Sequence, residues 1–246
     1  MDFLLLFAAA FLAGIMNAVA GGGSFVTFPA LVFTGVPSIV ANASSTVAVS
    51  PGSFASAWAY RRDFPALPGL GLWPLAAASL TGGICGALLL LYTPQHTFDA
   101  IIPWLLLGAT LLFAVGRRLT SLLLRVVTVG PVSLTLVQFA IGIYGGYFGG
   151  AIGILMLALF GLFGLSDIHE MNALKTLLAG LMNGAAVICF ALAGKVWWPQ
   201  TLTMLVAAVI GGYVGARIAR RMNPAHIRAI IIAIGSFMTV VFFLRA

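Results

Sequence analysis

Long apolar stretches, separated by short breaks rich in glycine, proline or charge, make up most of this chain. Residues 3–60 and 126–166 carry no charged side chain. A helix needs roughly 20 apolar residues to cross a bilayer, so each of these runs holds more than one crossing. The pattern predicts an all-α polytopic membrane protein.

The breaks divide the chain into two matching sets of apolar segments. Each set opens with a segment too long for one crossing, and glycines interrupt it. We predict that each long segment folds back as a helical hairpin and that three membrane-spanning helices follow it. The predicted first half, 1–125, has a hairpin at 3–35 and helices at 38–60, 69–92 and 98–116. The second half, 126–246, has a hairpin at 131–163 and helices at 168–194, 197–219 and 225–244.

An internal repeat relates the two halves. Gly21-Gly22 aligns with Gly149-Gly150, and Asn42-Ala43-Ser44-Ser45-Thr46 aligns with Asn172-Ala173-Leu174-Lys175-Thr176. Pro94 and His96 align with Pro224 and His226. Apolar residues match by chance easily, but glycine, asparagine, proline and histidine in one order do not. Two repeated halves in one bundle are a common transporter plan.

The positive charges distinguish between two topologies. If each glycine-broken segment crosses once, the basic residues divide almost evenly between the two sides. If each enters and returns, all of them except Lys195 and Arg245 share one side, as the positive-inside rule expects. The hairpin topology therefore predicts inverted repeats with both termini on the periplasmic or extracellular side.

Composition narrows the function classes. Hydrophobic residues make up 62% of the chain and charged residues only 7%, which excludes a soluble enzyme. The net charge of +7 reflects membrane topology rather than a nucleic-acid partner. Cys85 and Cys189 lie in apolar segments without metal-ligand spacing and are interpreted as packing residues. We expect no metal, no cofactor and no catalytic residue.

A family resemblance appears at the glycine breaks. Gly14-Ile15-Met16-Asn17 with Gly21-Gly22-Gly23-Ser24, followed by the Asn42 to Thr46 run, resembles the TauE/SafE sulfite exporter family, and the second half repeats the pattern. The resemblance implies a prokaryotic inner-membrane transporter, typically an exporter, of a small sulfur-containing anion such as sulfite or an organosulfonate. Its partners would be that anion and the lipid bilayer. Whether the protein forms a homodimer is left open.

The two glycine breaks are the first candidates for an anion site. An anion leaving water needs hydrogen-bond donors or positive charge, and helix N-termini supply both. Gly21, Gly22, Gly23 and Ser24 would open the returning helix of the first hairpin, and Gly149 and Gly150 that of the second. The alternative is that these glycines only permit close helix packing.

Polar residues after each break are the second group of candidates. Asn42, Ser45 and Thr46 either contact the ligand or cap a helix, and Asn172 and Thr176 are their counterparts. Lys175 is the most informative residue, because a lysine inside an apolar helix is expensive and faces a cavity or a partner. It would bind an oxyanion, pair with Glu170 or snorkel to the interface.

The acidic residues all fall at segment ends, which points away from an acid in the transport pathway. The leading interpretation is an anion transporter, with a channel-like uniporter of another small anion as an alternative. A cation or metal permease would need ligands that the bundle lacks. A membrane-embedded enzyme would need an acid–base pair or a nucleophile. A non-transporting membrane subunit also remains open.

Overall fold

A computed structural model describes residues 2–19, 21–67, 69–123, 129–218 and 224–245. The predicted boundary between the halves at 125–126 lies outside these residues, as do Arg125, Arg220 and Arg221. Within them the chain is all-helical, with no strand. The helices are α1 Asp2–Val19, α2 Ser24–Phe33, α3 Ser38–Ala59, α4 Leu72–Tyr92, α5 Gln95–Leu123, α6 Pro131–Tyr147, α7 Ile152–Phe163, α8 Ile168–Leu192, α9 Trp198–Ile218 and α10 Pro224–Arg245.

Among the described residues, four helical stretches are long and apolar enough to cross a membrane: Leu72–Tyr92, Gln95–Gly116, Ile168–Leu192 and Trp198–Ile218. Phe3–Val19, Ser24–Phe33, Ile152–Phe163 and Arg228–Leu244 are shorter apolar helices. α3 carries asparagine, serine and threonine among its buried residues. A helix so rich in hydroxyl and amide groups requires protein partners rather than lipid, and α3 accordingly packs on α2, α8 and α9.

Each glycine-broken segment forms two helices joined by a tight turn. α1 ends at Val19 and α2 begins at Ser24, while α6 ends at Tyr147 and α7 begins at Ile152. α5 differs from its predicted range of 98–116, because it begins at Gln95 and continues to Leu123. Arg117 and Arg118 are strong helix formers, so charge at these positions does not end the helix.

The two hairpins point toward opposite ends of the bundle. Near the first turn, Ala18 clusters with Tyr60, which follows α3, and with Ala216 near the end of α9. Near the second turn, the Tyr147 carbonyl accepts a hydrogen bond from Asn42 at the start of α3. We call these the Tyr60 end and the Ser38 end of the bundle. The hairpin α1–α2 therefore turns toward the Tyr60 end, and α6–α7 toward the Ser38 end.

Close helix packing holds the hairpins in the bundle. α1 packs on α9, and α6 packs on α4. Glycines make this approach possible: a β-carbon on Gly82 would meet the α6 backbone at Phe139 and Gly142, and one on Gly215 would meet the α1 backbone at Ile15. Small residues that let helix backbones approach are characteristic of membrane bundles.

Candidate functional site

A small closed cavity lies where the two hairpin turns meet. Its volume is about 20 Å³, room for about one water molecule. Its lining comes from both hairpins and from the helices that follow them: Asn17, Gly21, Ser24, Val49, Ser53, Gly149, Ile152, Gly153, Lys175, Thr176, Ala179 and Asn183. Among these described lining residues there is no carboxylate. The cavity therefore gathers donors of positive potential and no opposing negative charge.

The backbone at the breaks requires residues that tolerate positive φ. Gly21, Gly22 and Gly149 have φ of +78°, +101° and +79°, values that favour glycine because it has no β-carbon. Gly21 also lies directly against Gly153, where an added β-carbon would come within 2.7 Å of the Gly153 Cα. The two breaks are thus in backbone contact.

The first residues of α2 and α7, Ser24 and Ile152, both line this cavity, so the positive ends of two helix dipoles lie beside it. Each helix N-terminus is equivalent to roughly +0.5 elementary charge. The first intrahelical bonds of α7 run to the Ala151 carbonyl from Ile154 N at 3.0 Å and from Leu155 N at 3.3 Å. The amides of Ile152 and Gly153 precede these bonds, and both residues line the cavity. Free first-turn amides are the usual anion ligands of a helix start.

Lys175 is the charged residue of the cavity lining. It lies in α8, is only 1% exposed, and donates to Asn172 Oδ1 at 2.7 Å and to the Ala18 carbonyl at 3.3 Å. An ammonium has three N–H donors, so one remains for the cavity. Of the three alternatives the sequence offers, the structure places Lys175 against the cavity and away from Glu170 and the interface.

Several uncharged donors at the cavity also remain free. Asn183 is 6% exposed, and within the described residues its side chain makes no hydrogen bond. The same holds for the Ser24 hydroxyl. Asn17 Oδ1 accepts from Gly23 N at 2.7 Å, which leaves the Asn17 amino group unused. These donors line the cavity or lie at its edge, so they remain available to a ligand that supplies acceptors.

Of the predicted site residues, the cavity brings together Gly21, Ser24, Gly149, Lys175 and Thr176. Asn172 reaches it only through Lys175. Gly22 lies against Phe113, Gly23 against Asn17, and Gly150 against Phe148, so these three shape the turns and do not line the cavity.

The predicted polar run of α3 serves other helices. Asn42 Nδ2 donates to the Tyr147 carbonyl at 2.9 Å, Ser45 shares a hydrogen bond with Thr27 at 2.6 Å, and Thr46 donates to the Asn42 carbonyl. None of the three lines the cavity, and none caps its own helix, whose N-cap is Pro37 with no side-chain bond. In place of both alternatives, Asn42 joins α3 to α6, Ser45 joins α3 to α2, and Thr46 bonds within α3.

The sequence indicates Asn17, Ser50, Ser53 and Asn183 only as weaker candidates, and the cavity includes all of them except Ser50. An intramembrane asparagine or serine is explained equally well by bonding between helices. The available signal was position: Asn17 lies one helical turn before the first break, and Asn183 lies two turns beyond Lys175 on the same helix. Ile152 and Gly153 also line the cavity. The second turn extends past Gly149 and Gly150, so α7 begins only at Ile152.

Apolar helices packed around an enclosed polar cavity at the junction of two broken helices are the architecture of a multi-pass membrane transporter. The chain belongs to the sulfite exporter TauE/SafE family, whose family model matches residues 6–242. This confirms the resemblance seen at the glycine breaks.

Curated relatives carry transporter names. The chain is 30% identical over 231 residues to "Probable membrane transporter protein ORF9" of Sinorhizobium sp, covering 93% of this chain and 87% of the relative. It is 29% identical to "Probable membrane transporter protein YfcA" of Escherichia coli K12, covering 96% and 87%. A "Probable membrane transporter protein" of Haemophilus influenzae is 26% identical, covering 96% and 92%. No solved structure matches the chain.

Proposed function

We propose that this protein transports a small sulfur-containing anion, sulfite or an organosulfonate, across the inner membrane, in the exporting direction. The observation that carries the proposal is the convergence of unused donors on one closed cavity. Among the described residues, no protein acceptor bonds to the side chains of Asn183 and Ser24 or to the third N–H of Lys175, and two helix starts add positive potential. A ligand rich in acceptors and negative charge would satisfy these groups together.

The charge balance of the site favours an anion over a cation. A protonated Lys175 and two helix N-termini would sum to roughly two positive charges, and the described lining offers no carboxylate to offset them. The described residues also contain no cluster of histidine, cysteine or acidic side chains able to hold a metal ion. The sulfur chemistry of the anion comes from the family description, "Sulfite exporter TauE/SafE".

We further propose that the two halves are inverted repeats. Exchanging the halves turns the α1–α9 pair into α6–α4 and the α2–α3 pair into α7–α8, and all four pairs pack in the structure. The two hairpins also turn toward opposite ends of the bundle. With the positive-inside rule, the Tyr60 end is cytoplasmic, the Ser38 end is periplasmic, and both termini are outside.

Anion flux into liposomes that contain the purified protein tests the function. We expect saturable, voltage-dependent flux of sulfite or an organosulfonate, with chloride as the control anion. Lys175→Met should abolish this flux, since it removes the charge while keeping the length of the side chain. Lys195→Met is the matched control, because Lys195 is exposed between α8 and α9 and should leave flux unchanged.

Each result separates the alternatives. Flux of chloride equal to that of the sulfur anions would indicate a channel-like uniporter of small anions. Flux of no anion by a folded protein would indicate a non-transporting membrane subunit. Normal flux in Lys175→Met would contradict the cavity as the binding site.

A further inference from the structure

The last turns of α1 and α6 are each held by a polar side chain from the helix that follows the other hairpin, and the two side chains differ in chemistry. At the Ser38 end, Asn42 of α3 donates to the carbonyl of Tyr147, the last residue of α6. At the Tyr60 end, Lys175 of α8, held by Asn172, donates to the carbonyl of Ala18 in the last turn of α1. Asn172 is the counterpart of Asn42 in the repeat. Each half therefore caps the broken helix of the other half, once with a neutral amide and once with an ammonium.

Only the second cap faces the cavity. Lys175 lines it, whereas neither Asn42 nor Tyr147 does. The Lys175 ammonium therefore both holds the end of α1 and lines the candidate anion site. At the end of α6, Asn42 holds the helix but does not line the cavity.

We propose that the anion regulates its own site by drawing the Lys175 ammonium away from the Ala18 carbonyl, which releases the α1–α2 hairpin. This inference rests on the proposed function. The two existing bonds differ in length, 2.7 Å to Asn172 and 3.3 Å to Ala18, so the Ala18 bond is the weaker. An anion attracts the ammonium through its net charge as well as through a hydrogen bond, whereas a neutral carbonyl offers only the hydrogen bond and its dipole. Asn172 moves with Lys175 on the same helix, and the Ala18 bond is the one that breaks.

Release of the α1–α2 hairpin would make room for an anion in the cavity. The closed cavity has room for about one water molecule, so its lining must separate to pass an anion. The first turn is suited to this movement because Gly21 and Gly22 join α1 to α2. The carboxyl end of α6 keeps its Asn42 cap whether or not an anion is present. The α1–α2 hairpin is therefore the moving element, and it opens the cavity toward the Tyr60 end.

Hydrogen–deuterium exchange of the full-length protein in lipid nanodiscs tests the proposal without a chemical label. The reporter amides are those at the end of α1, including Gly21, whose N–H bonds to the Met16 carbonyl at 2.9 Å. The internal reference is the end of α6, where Phe148 and Gly149 bond to the Tyr144 carbonyl. Saturating sulfite should speed exchange of the α1 reporters by about tenfold, the effect of losing one hydrogen bond. It should leave the α6 reference unchanged.

Two variants distinguish the effect of losing the Lys175–Ala18 bond from the effect of binding the anion. Lys175→Met removes the cap, so the α1 reporters should exchange about tenfold faster even without sulfite, while Lys195→Met should match the wild type. Asn172→Asp replaces the amide by a carboxylate of the same shape, so Lys175 can still donate to residue 172 and to the Ala18 carbonyl. The new carboxylate neutralises the positive charge of Lys175. The reporters of this variant should exchange as in the wild type without sulfite and should not respond when sulfite is added.

The failures are distinguishable. If Lys175→Met exchanges at the wild-type rate, Lys175 does not cap α1 and the proposal is wrong. If the wild type binds radiolabelled sulfite while its α1 reporters slow down or stay unchanged, the regulation is wrong and the proposed function stands. If the wild type binds no sulfite, the proposed function itself is contradicted, together with the regulation built on it.

Discussion

Gly21 and Gly153 bring the two broken helices into direct backbone contact at the wall of the cavity. A β-carbon at Gly21 would lie 2.7 Å from the Gly153 Cα and 3.0 Å from its nitrogen. That nitrogen belongs to a residue in the first turn of α7, and both Gly21 and Gly153 line the cavity. A change at Gly21 therefore affects the contact between the hairpins and the cavity wall together.

Gly21→Ala should destabilise the protein and abolish anion binding. A residue with a β-carbon pays about 1–2 kcal/mol at positive φ, and the contact with Gly153 adds a backbone clash. Gly35→Ala is the matched control, since Gly35 has φ of +87° but no neighbour within 4 Å of an added β-carbon. Thermal unfolding in detergent should show a larger fall in Tm for Gly21→Ala. An equal fall for the two variants would contradict a tight contact.

Asn42→Ala should lower stability without lowering anion affinity. The variant leaves the Tyr147 carbonyl without its partner, at a cost of about 1–3 kcal/mol, and Asn42 lies outside the cavity. Ser50→Ala is the control on the same helix: Ser50 is 4% exposed, and its side chain makes no hydrogen bond among the described residues. Unfolding midpoints and sulfite binding are measured together. Weaker binding by a folded Asn42→Ala protein would show that this cap also serves the site.

Asn183→Asp should eliminate anion binding at neutral pH. A carboxylate about 4 Å from a bound anion costs roughly 4 kcal/mol at an effective dielectric of 20, so the half-saturation concentration should rise by more than about 100-fold. Asn183→Ala, which removes only a donor, should raise it about tenfold. Initial rates of sulfite flux provide the measurement. If the two variants behave alike, Asn183 does not face the anion.

The membrane orientation can be checked with single cysteines in a background that carries Cys85→Ser and Cys189→Ser. Arg62 and Lys195 are both exposed, and they occupy opposite sides in the hairpin topology but the same side if each broken segment crosses once. A membrane-impermeant maleimide should label Lys195→Cys in intact spheroplasts and Arg62→Cys only after permeabilisation. Labelling of both residues from one side would contradict inverted repeats.

Sequence reasoning reached the parts of the site that leave a local signal. Adjacent glycines within an apolar run marked both turns, because such a turn needs positive φ at Gly21 and Gly149. Lys175 was recognisable because a lysine in an apolar helix requires a cavity or a partner. The all-helical fold and the family followed from pattern and motif.

The rest depends on contacts between distant residues. Nothing local to Ala18 indicates that a lysine of the other half caps its carbonyl. Asn183 and Asn42 are the same residue type in similar helices, yet one faces the cavity and the other bonds to Tyr147. Which asparagine does which is decided by how the hairpins pack, and that information is spread over the whole chain.

The proposed passage of an anion through this cavity has an energetic consequence. An anion that passes this site without an accompanying proton or sodium ion moves net charge through the membrane field. At 100 mV, negative inside, each negative elementary charge gains about 2.3 kcal/mol on leaving the cell. This free energy balances an anion concentration about 50-fold higher outside than inside. The resting voltage of the cell would then be enough to keep the transported anion scarcer inside than outside, with no coupled ion consumed by the transporter itself.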